Sequence, residues 1–105
     1  MESYPGVLVG TDGSTDATVA VRLGGMLAGR LGVTLEILTA YDGDDGRDRA
    51  WAEEVNAGAV ATAKEAGAED VKANITTGDG PDVLLETANA HPERLVVVGS
   101  SGLSK

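Results

Sequence analysis

An open parallel sheet with helices on both faces is the fold class this sequence predicts, and three observations lead there. Strand-like and helix-like patterns alternate along the chain, the apolar residues are nearly all aliphatic, and polar glycine-rich turns follow the strand patterns. Alternation of strand and helix calls for right-handed crossovers between parallel neighbours. An aliphatic palette suits parallel strands covered on both sides. Tyr4, Tyr41 and Trp51 are the only aromatic residues, and Phe is absent. A length of 105 residues allows one domain, expected to span the whole chain.

Val7-Leu8-Val9-Gly10 opens the series as a short apolar strand that stops at the polar turn Thr11-Asp12-Gly13-Ser14. Ser14 can cap a helix whose Ala17, Ala20, Val21, Gly24, Leu27, Ala28 and Leu31 share one face, and Gly32 ends it. Thr34 to Ala40 is the second strand, followed by acidic turn residues. The second helix is expected from about Asp48 to Ala66, with Trp51, Val55, Ala59, Thr62, Ala63 and Ala66 inward and Gly67 as its stop. Val71 to Thr76 alternates apolar and polar, the pattern of a strand with one wet face. Pro81 suits the first position of a third helix with Leu84, Leu85 and Ala88 inward, ending by His91-Pro92. Leu95-Val96-Val97-Val98 is continuous and apolar, so burial on both faces is expected. The expected strand order is 3-2-1-4.

Bulk chemistry removes several function classes. Acidic residues outnumber basic ones 17 to 8, for a net charge of −9, and the cations are scattered. Nucleic acid is therefore not an expected partner, because phosphate backbones need clustered Lys and Arg. With no Cys, disulfides and thiolate metal sites are excluded. No basic-then-apolar leader and no apolar run of about 18 residues is present, so no membrane partner is expected and the cytoplasm is the default location.

In sheets of this Rossmann-like kind, ligands bind beyond the carboxyl ends of the strands where the strand order reverses. Gly10-Thr11-Asp12-Gly13-Ser14 sits there after the first strand. The Asp12 carboxylate can accept from a ribose hydroxyl or an adenine amino group; it can equally serve as a helix cap in competition with Ser14. Gly99-Ser100-Ser101-Gly102 follows the fourth strand, and such a turn presents N–H groups and hydroxyls to phosphate oxygens or is simply a turn. Gly78-Asp79-Gly80-Pro81 follows the third strand and has a similar ambiguity: it could contact ligand, but helix initiation is its evident task.

Together, V-L-V-G-T-D-G-S near the start, G-D-G-P before the third helix and L-V-V-V-G-S-S-G-L-S at the end resemble the universal stress protein family. The resemblance runs the whole chain in the right order. Its ATP-binding branch carries G-x2-G-x9-G-(S/T), whose first two glycines match Gly99 and Gly102. The resemblance implies an adenine nucleotide alpha hydrolase-like fold and ATP as ligand with Mg²⁺ beside it. It further implies that Asp12 binds adenosine, that Ala40 lines the adenine pocket, and that Gly99, Ser100, Ser101 and Gly102 hold ribose and phosphates. A homodimer and a role as ligand-bound switch in stress response are implied too. The sequence departs from the family by stopping at Lys105, ahead of the third glycine, the last helix and a fifth strand. The expectation is thus of a domain incomplete at its C-terminal end; the short acidic link from Tyr41 to Arg49 could likewise hide a join.

Other constellations are thin. There is no G-x-x-x-x-G-K-[ST] loop, and the single histidine, His91, lies at a helix end away from the ligand edge. Asp42, Asp44, Asp45 and Asp48 could collect a hard cation, though a solvated loop accounts for them as well. Trp51 reads as packing. Lys105 is the only cation in view of the expected site, so an efficient enzyme is not expected. Two other readings stand beside the nucleotide-binding one: a family relative that works only as an interaction module, and a phosphoacceptor receiver domain. The latter needs an acceptor Asp after the third strand, where this chain has Thr76-Thr77-Gly78.

Overall fold

The computed structural model describes residues 6–42 and 47–99. In chain order they form β1 (Gly6–Gly10), α1 (Thr15–Leu31), β2 (Thr34–Tyr41), α2 (Arg49–Ala66), β3 (Val71–Thr77), α3 (Gly80–Ala90) and β4 (Leu95–Val97). The sheet order is β3-β2-β1-β4 and every pairing is parallel, with Val7 opposite both Leu35 and Leu95. The expected fold class and strand order are observed.

Local chemistry sets the helix ends. The Ser14 side chain accepts from Ala17 N–H, and Gly32 closes α1 in the left-handed region at φ 70°. Asp48 caps α2 by accepting from Trp51 N–H, so the helix proper begins one residue later than expected. Asp79 caps α3, which places Pro81 at the second helical residue instead of the first.

Period-two alternation divides the sheet residues between two faces. Val7, Val9, Leu35 and Ile37 meet Ala20, Val21 and Ala28 of α1 and Ala59 and Ala63 of α2 in the main core. Leu8, Glu36 and Gly10 point to the opposite face, where α3 lies over β1 and β2. Burial of this aliphatic set is the chief stabilising term, at about 25 cal/mol per Å² of apolar surface removed from water.

Four expectations about packing are corrected. The inner line of α2 is Ala52, Asn56, Ala59 and Ala63, while Trp51, Val55, Thr62 and Ala66 flank it half-buried. Asn56 takes a core position because its amide donates to Thr39 Oγ1 (2.8 Å) and to the Asn74 carbonyl (3.3 Å). On α1, Leu31 is exposed and Gly25 is buried against α2; on α3, Leu84 and Ala88 are half-buried but Leu85 is 61% exposed. Finally, β4 is not buried on both faces. Leu95 and Val97 pack on the core, whereas Val96 and Val98 remain 41% and 49% exposed. The physical reason is that α3 covers β1 and β2 and, among the described residues, no other helix lies on that side of β4.

Candidate nucleotide site at the carboxyl edge

The loop after β1 is wired through its own side chains. Thr11 Oγ1 accepts from Gly13 N–H (3.1 Å), and an Asp12 carboxylate oxygen accepts from Ser14 N–H (2.9 Å). Ser14 is therefore the helix cap, and Asp12 braces the turn that precedes it. At the end of β2, the Tyr41 carbonyl accepts from Gly78 N–H (2.9 Å), tying the carboxyl ends of β2 and β3 together. Arg49 donates to the Tyr41 side chain, and that bond raises the guanidinium above its ordinary pKa.

These loops enclose a cleft of about 520 Å³ at the carboxyl edge of the sheet. The ends of β1 and β2 and the residues just after β3 and β4 reach it, and the volume falls in the range of small-molecule sites. Gly10, Thr11, Asp12, Ser14, Ala40 and Gly99 line the cleft, so the structure brings these site residues together. Gly13 does not line it. With φ of 81° it turns toward α2, where an added Cβ would meet Val55 at 3.2 Å, and it borders a smaller cavity between α1 and α2. Ser100, Ser101, Gly102 and Lys105 lie outside the described residues. Close packing explains two of the glycines. A Cβ on Gly10 would touch Leu84 at 3.3 Å, and one on Gly99 would sit 2.9 Å from the Asp16 carbonyl oxygen.

Gly78, Asp79, Gly80 and Pro81 start α3 and also line the cleft, so both readings of that turn apply. Sequence reasoning missed other parts of the cleft wall. Tyr41, Asp42 and Arg47 line it from the β2 side. The expectation for Lys105 falls outside the described residues; among those described, Arg47 is the only Lys or Arg in the cleft wall. Position after β2 was the available signal for it, obscured by the acidic residues around it. Trp51 does pack as read, but its partner is Arg47, whose guanidinium carbon lies 4.9 Å from the ring centroid.

Electrostatically, the cleft presents Asp12, Asp42 and Asp79 against Arg47. Burial pushes the Asp12 carboxyl up, but hydrogen bonds from the Ser14 hydroxyl and from backbone N–H groups, with the charge of Arg47, outweigh it and hold the pKa below 3.8. Asp12 is thus an ionised acceptor at neutral pH. No group of three or more His, Asp or Glu side chains among the described residues could hold a metal ion by itself, and Asp48 is engaged as a helix cap. His91 is exposed at the end of α3, 3.6 Å from Glu93.

A search against protein-family models matches residues 3–105 to the universal stress protein family. The chain belongs to that family. Its fold is shared with a universal stress protein solved in complex with cAMP, at 36% identity and TM-score 0.88, over 99% of this chain and 79% of that one. Protein Rv1636 from Mycobacterium tuberculosis H37Rv matches at 33% identity and TM-score 0.78, over 100% of this chain and 78% of that one. The universal stress protein from Archaeoglobus fulgidus in complex with dAMP shares the fold at 17% identity and TM-score 0.73, over 93% of this chain and 99% of that one. No curated protein matches this chain. Among the described residues, no helix of this universal stress protein is long and apolar enough to cross a membrane.

Proposed function

We propose that this universal stress protein binds an adenine nucleotide in the carboxyl-edge cleft and carries it as a ligand or switch. The observation that carries the reading is an ionised Asp12 in the wall of a cleft of about 520 Å³, with Ala40 and Leu38 as an apolar surface beside it. A carboxylate there suits ribose hydroxyls or an exocyclic amine, and an aliphatic wall suits a purine face. Relatives in complex with cAMP and with dAMP support the adenosine half of the ligand.

ATP is the form proposed, with the phosphates running toward Gly99. Mg²⁺ would be held chiefly through the phosphates, since that ion prefers one or two carboxylates plus phosphate oxygens to an all-protein cage. A binding role, not a catalytic one, fits the wall chemistry: three carboxylates, one guanidinium and no histidine among its described residues. Phosphoryl transfer needs concentrated positive charge and a positioned nucleophile. The reading includes a cytoplasmic homodimer; for the dimer, the exposed Val96 of β4 and Val98 just after it are the supporting feature.

Calorimetric titration with ATP, with and without Mg²⁺, and with AMP and cAMP, tests the proposal. Saturable binding of at least one of them supports it. A folded protein that binds none of them favours the family relative that acts only as an interaction module.

A further inference from the structure

Among the cleft residues, Arg47 has an unusual setting. Its guanidinium lies 4.9 Å from the centroid of the Trp51 ring, inside the range of about 6 Å over which a cation is attracted to an aromatic face. The Trp51 backbone is anchored: it lies in the first turn of α2 and its N–H donates to the Asp48 carboxylate at 2.9 Å, and the residue is half-buried. The indole therefore holds a planar, weakly hydrated cation in the cleft wall, on the side formed by the end of β2 with Ala40 and Tyr41.

Two roles are open to such a group, and placement separates them. A phosphate clamp belongs near Gly99 at the end of β4. β2 and β4 flank β1, so their ends stand about 10 Å apart at ordinary strand spacing. Arg47 is on the β2 side, with Asp12 close enough to feel its charge and with Asp42 and Asp79 in the same wall. Three carboxylates dilute its pull on a polyphosphate, but they leave a planar guanidinium well suited to stack on a flat heterocycle, with Ala40, Leu38 and Pro81 as apolar wall.

We infer that Arg47 is the base-stacking residue of this cleft and that Trp51 is its positioning residue, so that the pair selects a planar purine ring by a layered indole–guanidinium–base arrangement. The inference rests on the adenine-nucleotide reading and adds the group that recognises the base.

Trp51 is the single tryptophan of the chain, so its emission reports the layer directly. Adenosine, AMP and ATP are titrated against the wild type and against Arg47→Lys, Arg47→Gln, Trp51→Phe and Trp51→Leu, by calorimetry and, where Trp51 remains, by fluorescence. Both Arg47 variants should weaken all three ligands by a similar factor, about 2- to 10-fold, because Lys keeps the charge but not the plane. Trp51→Phe should keep most of the affinity and Trp51→Leu should lose part of it, while wild-type emission changes on adding adenosine. Loss that grows with phosphate number and is rescued by Arg47→Lys would make Arg47 a phosphate contact and overturn the inference. Unchanged affinity in both Arg47 variants would overturn it too, with the nucleotide site intact. A wild type that binds neither adenosine nor ATP would instead remove the adenine-nucleotide reading, and this inference with it.

Discussion

Burial opposes the charge on Asp12, yet its carboxyl lies below the ordinary value because hydrogen bonds from Ser14 and the backbone, and then Arg47, favour the ionised form. A depressed folded-state pKa gives stability that is present above the unfolded value and is lost as pH falls through the folded one. Over about pH 5 to 8 the group does not titrate. Nucleotide affinity should therefore be flat across that window and fall only at more acidic pH. Calorimetry at a series of pH values checks this, and an affinity that titrates near neutrality would assign the key contact to another group. Asp12→Ala should weaken binding by about 1–3 kcal/mol, since it removes a charged acceptor from the ligand. Asp12 was legible from the sequence because a strand end at the reversal of strand order is where ligands sit; Ala40 was legible only through the family resemblance. Arg47 was not, because the acidic residues around it obscured the one signal it had, its position after β2.

At the scale of elements, α1 and α2 approach each other through glycine. A Cβ on Gly25 would lie 2.7 Å from the Ala63 carbonyl oxygen, and one on Gly29 would run into the Gly67 carbonyl oxygen. Alanine normally favours a helix over glycine by about 1 kcal/mol. Here backbone on the other side cannot yield, so Gly25→Ala should destabilise by about 1–3 kcal/mol despite that gain. Gly58, inside α2, has nothing within 4 Å of an added Cβ, so Gly58→Ala should stabilise by about 0.5–1 kcal/mol. Urea denaturation of both variants checks the contrast, and equal signs would contradict it. A second element-level link is the ion pair between Glu36 of β2 and Arg94 ahead of β4, with Asn74 of β3 also donating to Glu36. Both side chains are mostly buried, so Glu36→Ala should cost about 3–5 kcal/mol by stranding Arg94. Pairing Glu36→Met with Arg94→Met should recover most of that loss, as measured by the same denaturation. Element order and strand register were legible because apolar runs, caps and glycine stops agree with one another. The inner face of α2 was not. Asn56 is buried by its bonds to Thr39 and Asn74, and a pattern built on apolar residues alone turns the helix to put Trp51 and Val55 inward.

Across the whole molecule, burial is uneven. β1 and β2 hold Val7, Leu8, Val9, Leu35 and Ile37 with no exposure, whereas α3 has no buried residue and β4 pairs over only three positions. Regions with few buried apolar contacts open at lower free energy than the core. Hydrogen exchange should thus rank β1 and β2 as most protected and α3 with β4 as least, and nucleotide should raise protection at α3 and β4, since Gly80, Pro81, Leu84 and Gly99 line the cleft. Uniform protection in the free protein would contradict this gradient. The central claim, that this universal stress protein holds an adenine nucleotide in the carboxyl-edge cleft, is tested most directly by following backbone amide resonances during titration with ATP. The account predicts saturable shifts concentrated at Gly10 to Ser14, Ala40 to Asp42, Gly78 to Gly80 and Gly99. Shifts confined to the α1–α2 side, around Val55 and Gly58, or no shifts at millimolar ATP, would contradict it.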